Sequence, residues 1–305
     1  MHYRRLGKTD LQLSTVGLGG WALGGATDWG DTPFAEAQSA VQAALDAGIN
    51  VIDTAPIYGS SEEVLGRILQ GRRQEVILAT KCGLVKNGSW TDHDLRPQTI
   101  TAQLETSLRL LQTDFIDIYF VHYLDPQIPW QSVLESLAQF KKQGKIRHIG
   151  VCNIPPEILA QMAQTGLIDC VQDELSLLHP HKAAPVLEIC RAHQLGFVAY
   201  GSLCGGILSG KYKRVPNLRR ADARNYFYKC YRDDAFVQAQ STVKHVQELS
   251  AQHHTSCTAV ALAWVLAQPG VTCALAGARR AEQVLQNAQA ADVYLSAEEL
   301  CTLLK

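Results

Sequence analysis

The chain has 305 residues, 47% hydrophobic and 19% charged, an ordinary globular composition with enough apolar surface for a large core. Lysine plus arginine (28) balances aspartate plus glutamate (29), so no net field draws in nucleic acid or an anionic membrane, and neither is expected as a partner. No run approaches the roughly 18–20 apolar residues of a membrane span, and MHYRRLGKTD lacks the apolar centre of a signal peptide, so a cytoplasmic location is expected.

The first element expected is a short hairpin, YRRLGKTDLQLS, turning at Gly7 to Asp10. VGLGG then opens a series of apolar runs that continues at 49–53, 75–80, 115–121, 146–151, 168–172, 196–200 and 272–276, eight strands in all. Amphipathic patterns of helical period lie between them at 34–47, 61–70, 97–111, 130–143, 155–164 and 182–194. Gly48, Pro97 and Gly144 mark helix ends. The strand runs are nearly continuous in apolar residues, as strands covered on both faces are.

After the seventh strand the rhythm breaks. GSLCGGILSGKYKRVPNLRRADARNYFYKCYRDD is long, basic and aromatic, and a loop of that length predicts a lid or binding segment. Helical patterns follow at 234–252 and 256–267, and the chain ends in helices near 280–290 and 296–304. No shift in composition suggests a second domain, so residues 1–305 read as one unit. Strand then helix, repeated eight times, predicts an α/β fold of the (β/α)8 TIM-barrel type, with the N-terminal β-hairpin and the C-terminal helices as additions. An open dinucleotide-binding sheet fits less well. The glycines of VGLGGWALGG form no GxGxxG that opens a helix, and Trp21, Trp29 and Pro33 intervene. They read as a first strand-to-helix loop whose backbone, at Gly20 and Trp21, passes close to a ligand.

The nine cysteines contain no CxxC pair and sit mostly in apolar runs, where a free thiol behaves as a small hydrophobe. His179, His181, His253 and His254 lack Cys or carboxylate partners at zinc spacing, so no metal site is expected.

Three successive strands end in ionisable residues: Asp53 with Tyr58 just beyond in NVIDTAPIYG, Lys81 in VILATK, and His122 in IDIYFVH. Neighbouring parallel strands lie about 4.8 Å apart, so these side chains would stand together at the barrel's C-terminal rim, where such barrels build active sites. The ammonium is expected to lower the phenol's pKa, and the carboxylate to hold the ammonium charged and fixed. Singly, Lys81 could be an ion-pair partner, His122 a satisfied core histidine and Tyr58 a loop aromatic. Together they predict an acid–base site.

Here the chain resembles the aldo-keto reductases, barrel enzymes that use a nicotinamide cofactor to reduce carbonyls. The likeness runs collinearly through GLGGWALGG, DTAPIYGSSEEVLG, ATKCG, IDIYFVHYLD, GKIRHIGVCN, SLCGGILSGKY and ALAWVLAQPGVTCALAGARRAEQVLQN. It is nearest in look to the bacterial group resembling stress-response and inositol-locus reductases. The resemblance implies that Tyr58 is the general acid in reduction and the general base in the reverse direction. Lys81 and Asp53 would tune it, and His122 would orient the substrate oxygen. It further implies that Asn153 and Gln172 hold the nicotinamide carboxamide, and that Ser202, Leu203, Gly205 and Lys211 wrap the pyrophosphate. Gly277, Arg279, Gln283 and Asn287 would receive the adenosine end. Arg279 and Arg280 favour NADP(H) over NAD(H), with a small-molecule carbonyl or alcohol as partner.

Some positions depart from the family pattern. Leu175 stands where an aromatic residue is expected to stack on the nicotinamide, Cys152 replaces a Ser before Asn153, Gln286 replaces a Glu beside Asn287, and Gly277 replaces the Lys of another branch. They keep a second reading in play, a cofactor-binding redox-sensing subunit with little turnover. Trp21, Trp29, Trp90, Tyr123, Tyr226, Phe227 and Tyr228 fall on upper loops and predict an apolar pocket, while Arg96, Arg219 and Arg224 would admit an anion, hold the cofactor phosphate or face solvent.

Overall fold

The structure, a computed structural model, describes residues 1–88 and 90–304. Its strands are β1 (Tyr3–Arg5), β2 (Gln12–Ser14), β3 (Val16–Gly19), β4 (Val51–Asp53), β5 (Ile77–Cys82), β6 (Leu84–Asn87), β7 (Trp90–His93), β8 (Ile116–Val121), β9 (Ile146–Cys152), β10 (Cys170–Glu174), β11 (Gly196–Tyr200) and β12 (Val271–Gly277). The parallel order β3-β4-β5-β8-β9-β10-β11-β12 closes on itself through β12 and β3, where Ala276 faces Leu18 and Gly277 faces Gly19. This is the expected (β/α)8 barrel. Its floor is the antiparallel β1–β2 hairpin.

Both faces of each barrel strand are buried, which explains the continuous apolar runs. Val51, Ala79, Ile118, Phe120, Val198 and Leu275 point inward and meet Leu6, Leu11 and Leu13 of the hairpin region. Their neighbours Ile52, Leu78, Tyr119, Val121, Phe197 and Ala274 point outward into the core beneath the helices. All nine cysteines are free, and Cys152, Cys170 and Cys273 fill the barrel interior as small apolar groups, whereas Cys301 is exposed.

The helices are α1 (Ala26–Trp29), α2 (Phe34–Asp46), α3 (Ser61–Ile68), α4 (Pro97–Leu111), α5 (Trp130–Lys142), α6 (Pro156–Gln164), α7 (Ala184–His193), α8 (Ala223–Tyr226), α9 (Asp233–Gln252), α10 (Cys257–Leu266), α11 (Ala281–Ala288) and α12 (Ala297–Thr302). Pro97 is the first residue of α4, where its missing N–H costs nothing. Ser256 caps α10 through the Ala259 amide, and Ser296 with Glu299 forms a capping box on α12. Among the described residues, no helix is long and apolar enough to cross a membrane.

Two features differ from the sequence reading. β6 and β7 form a hairpin on the rim that the apolar pattern did not signal, because all of β7 is exposed. The long segment after β11 is also locally ordered, by 3-10 turns at Cys204–Ser209 and Lys229–Tyr231 and by the short α8.

Candidate active site

Asp53 ends β4 opposite Ala79 of β5, Lys81 lies two residues further along β5, and His122 follows the last residue of β8. Lys81 is fully buried and donates from Nζ to Asp53 Oδ1 at 2.6 Å and to the Thr54 carbonyl at 2.9 Å. The other carboxylate oxygen, Asp53 Oδ2, accepts from Gln172 Nε2 at 2.9 Å. Tyr58 leans back over this pair, its ring centroid 5.0 Å from Lys81 Nζ. The same ring stacks on Trp21 at 5.5 Å and 21° and meets His122 edge-on at 5.9 Å. Gly24 permits the approach, since a Cβ there would lie 1.8 Å from the Tyr58 carbonyl oxygen. The four expected residues are therefore assembled at one point.

Their electrostatics differ from the sequence reading in one respect. Tyr58 has its pKa raised, not lowered, chiefly because burial disfavours the phenolate and then because Asp53 repels it. Lys81 does not reverse this. Its ammonium faces the ring and is hydrogen-bonded to Asp53 and Thr54. The phenol is accordingly protonated at neutral pH and ready to give a proton. His122 is held well below its usual pKa by burial and by the charges of Lys81 and His93, so it is a neutral imidazole.

A cavity of about 450 Å³ opens above these residues, within the range of small-molecule sites. Gly20, Trp21, Asp53, Tyr58, His122, Asn153 and Gln172 line its floor and first wall. Ser202, Leu203, Gly205 and Lys211 line it after β11, and Gly277, Arg279, Gln283 and Asn287 line it at the start of α11. Leu175 does not reach it. That side chain is buried in the core outside the barrel, whereas Tyr200, the last residue of β11, lines the cavity and donates from its hydroxyl to Asn153 Oδ1 at 2.6 Å. The aromatic face beside Asn153 is thus supplied by Tyr200, a residue the sequence reading missed. Asn153 also donates from Nδ2 to the His122 carbonyl at 3.0 Å.

The segment after β11 covers part of the opening. Phe227 packs edge-on against Trp21 at 5.4 Å, and Tyr226 donates to Asp28 Oδ1 at 2.9 Å while Trp21 Nε1 donates to Asp28 Oδ2 at 3.1 Å. Arg279 Nη1 donates to the Trp29 carbonyl at 3.0 Å, tying the first loop to the last. Tyr123, Leu84 and Thr91 complete the wall on the far side. Trp90 is 77% exposed and outside the cavity, because the β6–β7 hairpin points it to solvent. Arg96 is an exposed partner of Asp94, Arg219 lies against Gly30, and Arg224 lines the cavity while paired with Asp222 and donating to Tyr212.

The sequence profile of the Aldo/keto reductase family matches residues 15–304. The chain belongs to this family. It is 36% identical over 290 residues to aldo-keto reductase YhdN of Bacillus subtilis, covering 93% of this chain and 87% of that one. It is 33% identical to the NADH-specific methylglyoxal reductase of Escherichia coli, covering 95% and 94%. Among solved structures, the glycerol dehydrogenase AKR11B4 from Gluconobacter oxydans superposes with a TM-score of 0.88 at 32% identity, covering 99% of this chain and 93% of that one.

Aldo-keto reductases use a nicotinamide cofactor, and three observations show that this cavity fits one. The Ser202 hydroxyl is buried in the wall with no hydrogen-bond partner among the described residues, so it waits for a polar group. Gly205 and Gly206 line the same wall with φ of +64° and +96°, so a backbone without side chains passes close to the space a ligand would fill. Lys211 lines the same wall and makes no ion pair among the described residues.

Proposed function

We propose that the chain is an NADP(H)-dependent reductase of aldehydes and ketones, working reversibly, with Tyr58 as its general acid and base. The observation that carries this reading is the protonated Tyr58 phenol, stacked on Trp21 and edged by His122, above the buried Lys81–Asp53 pair at the floor of the cavity.

When bound, the cofactor supplies hydride to the carbonyl carbon. Tyr58 then gives its proton to the carbonyl oxygen, yielding the alcohol. Neutral His122 offers a ring N–H to that oxygen and fixes its direction. Lys81 and Asp53 keep the ground under Tyr58 rigid and electrically paired. Asn153 and Gln172 would hold the carboxamide, with Tyr200 against the ring. Ser202, Leu203, Gly205 and Lys211 would take the pyrophosphate, and Gly277, Arg279, Gln283 and Asn287 the adenosine end. Tyr200 supplies the aromatic face that Leu175 does not, which removes the main reason for the low-turnover sensor reading.

Arg279 and Arg280 support NADP(H). Arg279 lines the cavity, and Arg280 is exposed, with its Nε 3.4 Å from Glu36 Oε2. Since the E. coli relative is NADH-specific by name, kcat/KM is compared for both cofactors. NADPH is expected to be preferred, and Arg279→Ala with Arg280→Ala to lose about tenfold of that preference. A preference for NADH that the arginine variants leave unchanged would overturn the assignment. The chemistry itself is tested by nicotinamide oxidation with methylglyoxal, a nitrobenzaldehyde and a quinone. Equal rates for wild type and Tyr58→Phe would sink the mechanism.

A further inference from the structure

The 3-10 turns at Cys204–Ser209 and Lys229–Tyr231 meet behind the cavity wall. Cys204 lies between Leu203 and Gly205, which line the cavity, and Cys230 closes the segment that carries Arg224, Tyr226, Phe227 and Tyr228 over it. Cys230 Sγ approaches the Cys204 carbonyl oxygen at 3.9 Å, and Tyr231 donates to the Gly205 carbonyl at 2.9 Å. Cys204 adopts φ +47°, an uncommon conformation for a residue with a side chain, and it turns this thiol back toward Ser176 Oγ at 3.1 Å.

Cys230 differs from the other buried thiols. Burial pushes Cys82 and Cys190 up to about 12 and raises Cys152, Cys170 and Cys273 as well, and Cys204 is also raised, whereas proximity to the Cys204 thiol lowers Cys230 and favours the Cys230 thiolate.

We propose that Cys204 and Cys230 form a reversible disulfide under hydroperoxide, and that this bond latches the segment 210–232 onto the cofactor-binding loop. The Cys230 thiolate attacks one peroxide oxygen and breaks the O–O bond, and the leaving hydroxide takes up the proton the thiol had released, giving a sulfenic acid and one water. The Cys204 thiol then displaces the second water as the S–S bond forms. Two thiols and one hydrogen peroxide yield one disulfide and two waters, and a dithiol reverses the change. With the segment held down, cofactor exchange slows.

The inference rests on the proposed cofactor cavity, so the test reads that separately. The full chain is reduced, or treated with hydrogen peroxide, and its cysteine pairs are mapped by peptide mass. NADPH release is followed by tryptophan fluorescence in stopped flow. A Cys204–Cys230 peptide and at least about tenfold slower release are expected, as when lid opening limits release. Dithiothreitol restores the rate. Cys230→Ala and Cys230→Ser keep the release rate of the reduced chain and lose the oxidant response. Absence of the linked peptide, or its formation with release unchanged, overturns the inference alone. Failure of the reduced protein to bind NADPH overturns the cofactor reading, and the latch with it.

Discussion

Tyr58 is a phenol whose pKa is raised by burial, and that sets the direction in which it works readily. Reduction consumes the protonated form, so its rate should be flat across neutral pH. Oxidation needs the phenolate as base, so its rate should climb as pH rises toward about 10. Initial rates in both directions between neutral and alkaline pH check this, and an oxidation rate indifferent to pH would contradict it. Tyr58→Phe should lower kcat by about 10²–10⁴ while leaving NADPH affinity unchanged. Beneath it, the Lys81–Asp53 pair is buried with side-chain exposures of 0% and 6%. Removing either partner strands a charge in the interior and should cost about 3–5 kcal/mol. Lys81→Met together with Asp53→Leu should recover much of that stability in urea unfolding without recovering activity. If the double variant is no more stable than the singles, the pair's charge is not the cause.

The strands explain why most of the site was legible. Val51 points into the barrel, so Asp53 two residues on does too; Ala79 places Lys81, and Phe120 places His122, by the same alternation. That rule also exposes the error at Leu175. Val171 faces outward on β10 and Leu175 shares its parity, whereas Val198 faces inward on β11 and Tyr200 shares that one. The β6–β7 strands bury too little for hydrophobic pattern to show them. The segment after β11 was legible as a lid by length alone. Its contacts with the first loop are between residues some 200 positions apart, as at Tyr226 and Asp28, and no local pattern encodes them. Phe227 tests that layer. Its edge-on contact with Trp21 is of a kind that contributes about 0.5–1.5 kcal/mol, so Phe227→Ala should raise KM for a carbonyl substrate about two- to tenfold. Because Tyr58 and Lys81 are untouched, kcat should change less than KM.

At the scale of the whole molecule, the same buried groups shape stability against pH. His122 is lowered in the folded chain, so the unfolded chain binds its proton first and stability falls as pH drops below about 6.5. Asp169 is lowered to about 2 despite burial, by hydrogen bonds from His148, Ile149 and Lys141, and Glu174 to about 2 by those from His179 and Lys182. Their contribution is present above the unfolded carboxylate range near about 4 and is lost as pH falls through about 2. Glu62 acts in the opposite sense, since burial raises it and the unfolded chain gives up that proton first. Tyr58 and Tyr119 are raised, so stability also declines above about 10, where the unfolded phenols ionise. Melting temperature should therefore plateau between about pH 6.5 and 10 and fall on the acid side in two stages, histidine first and carboxylates second. His122→Asn removes only the first stage, and Lys141→Met weakens the second. A wild-type profile flat from pH 7 to 4, or a His122→Asn profile that falls like wild type, would show that the imidazole is not buried neutral beside Lys81.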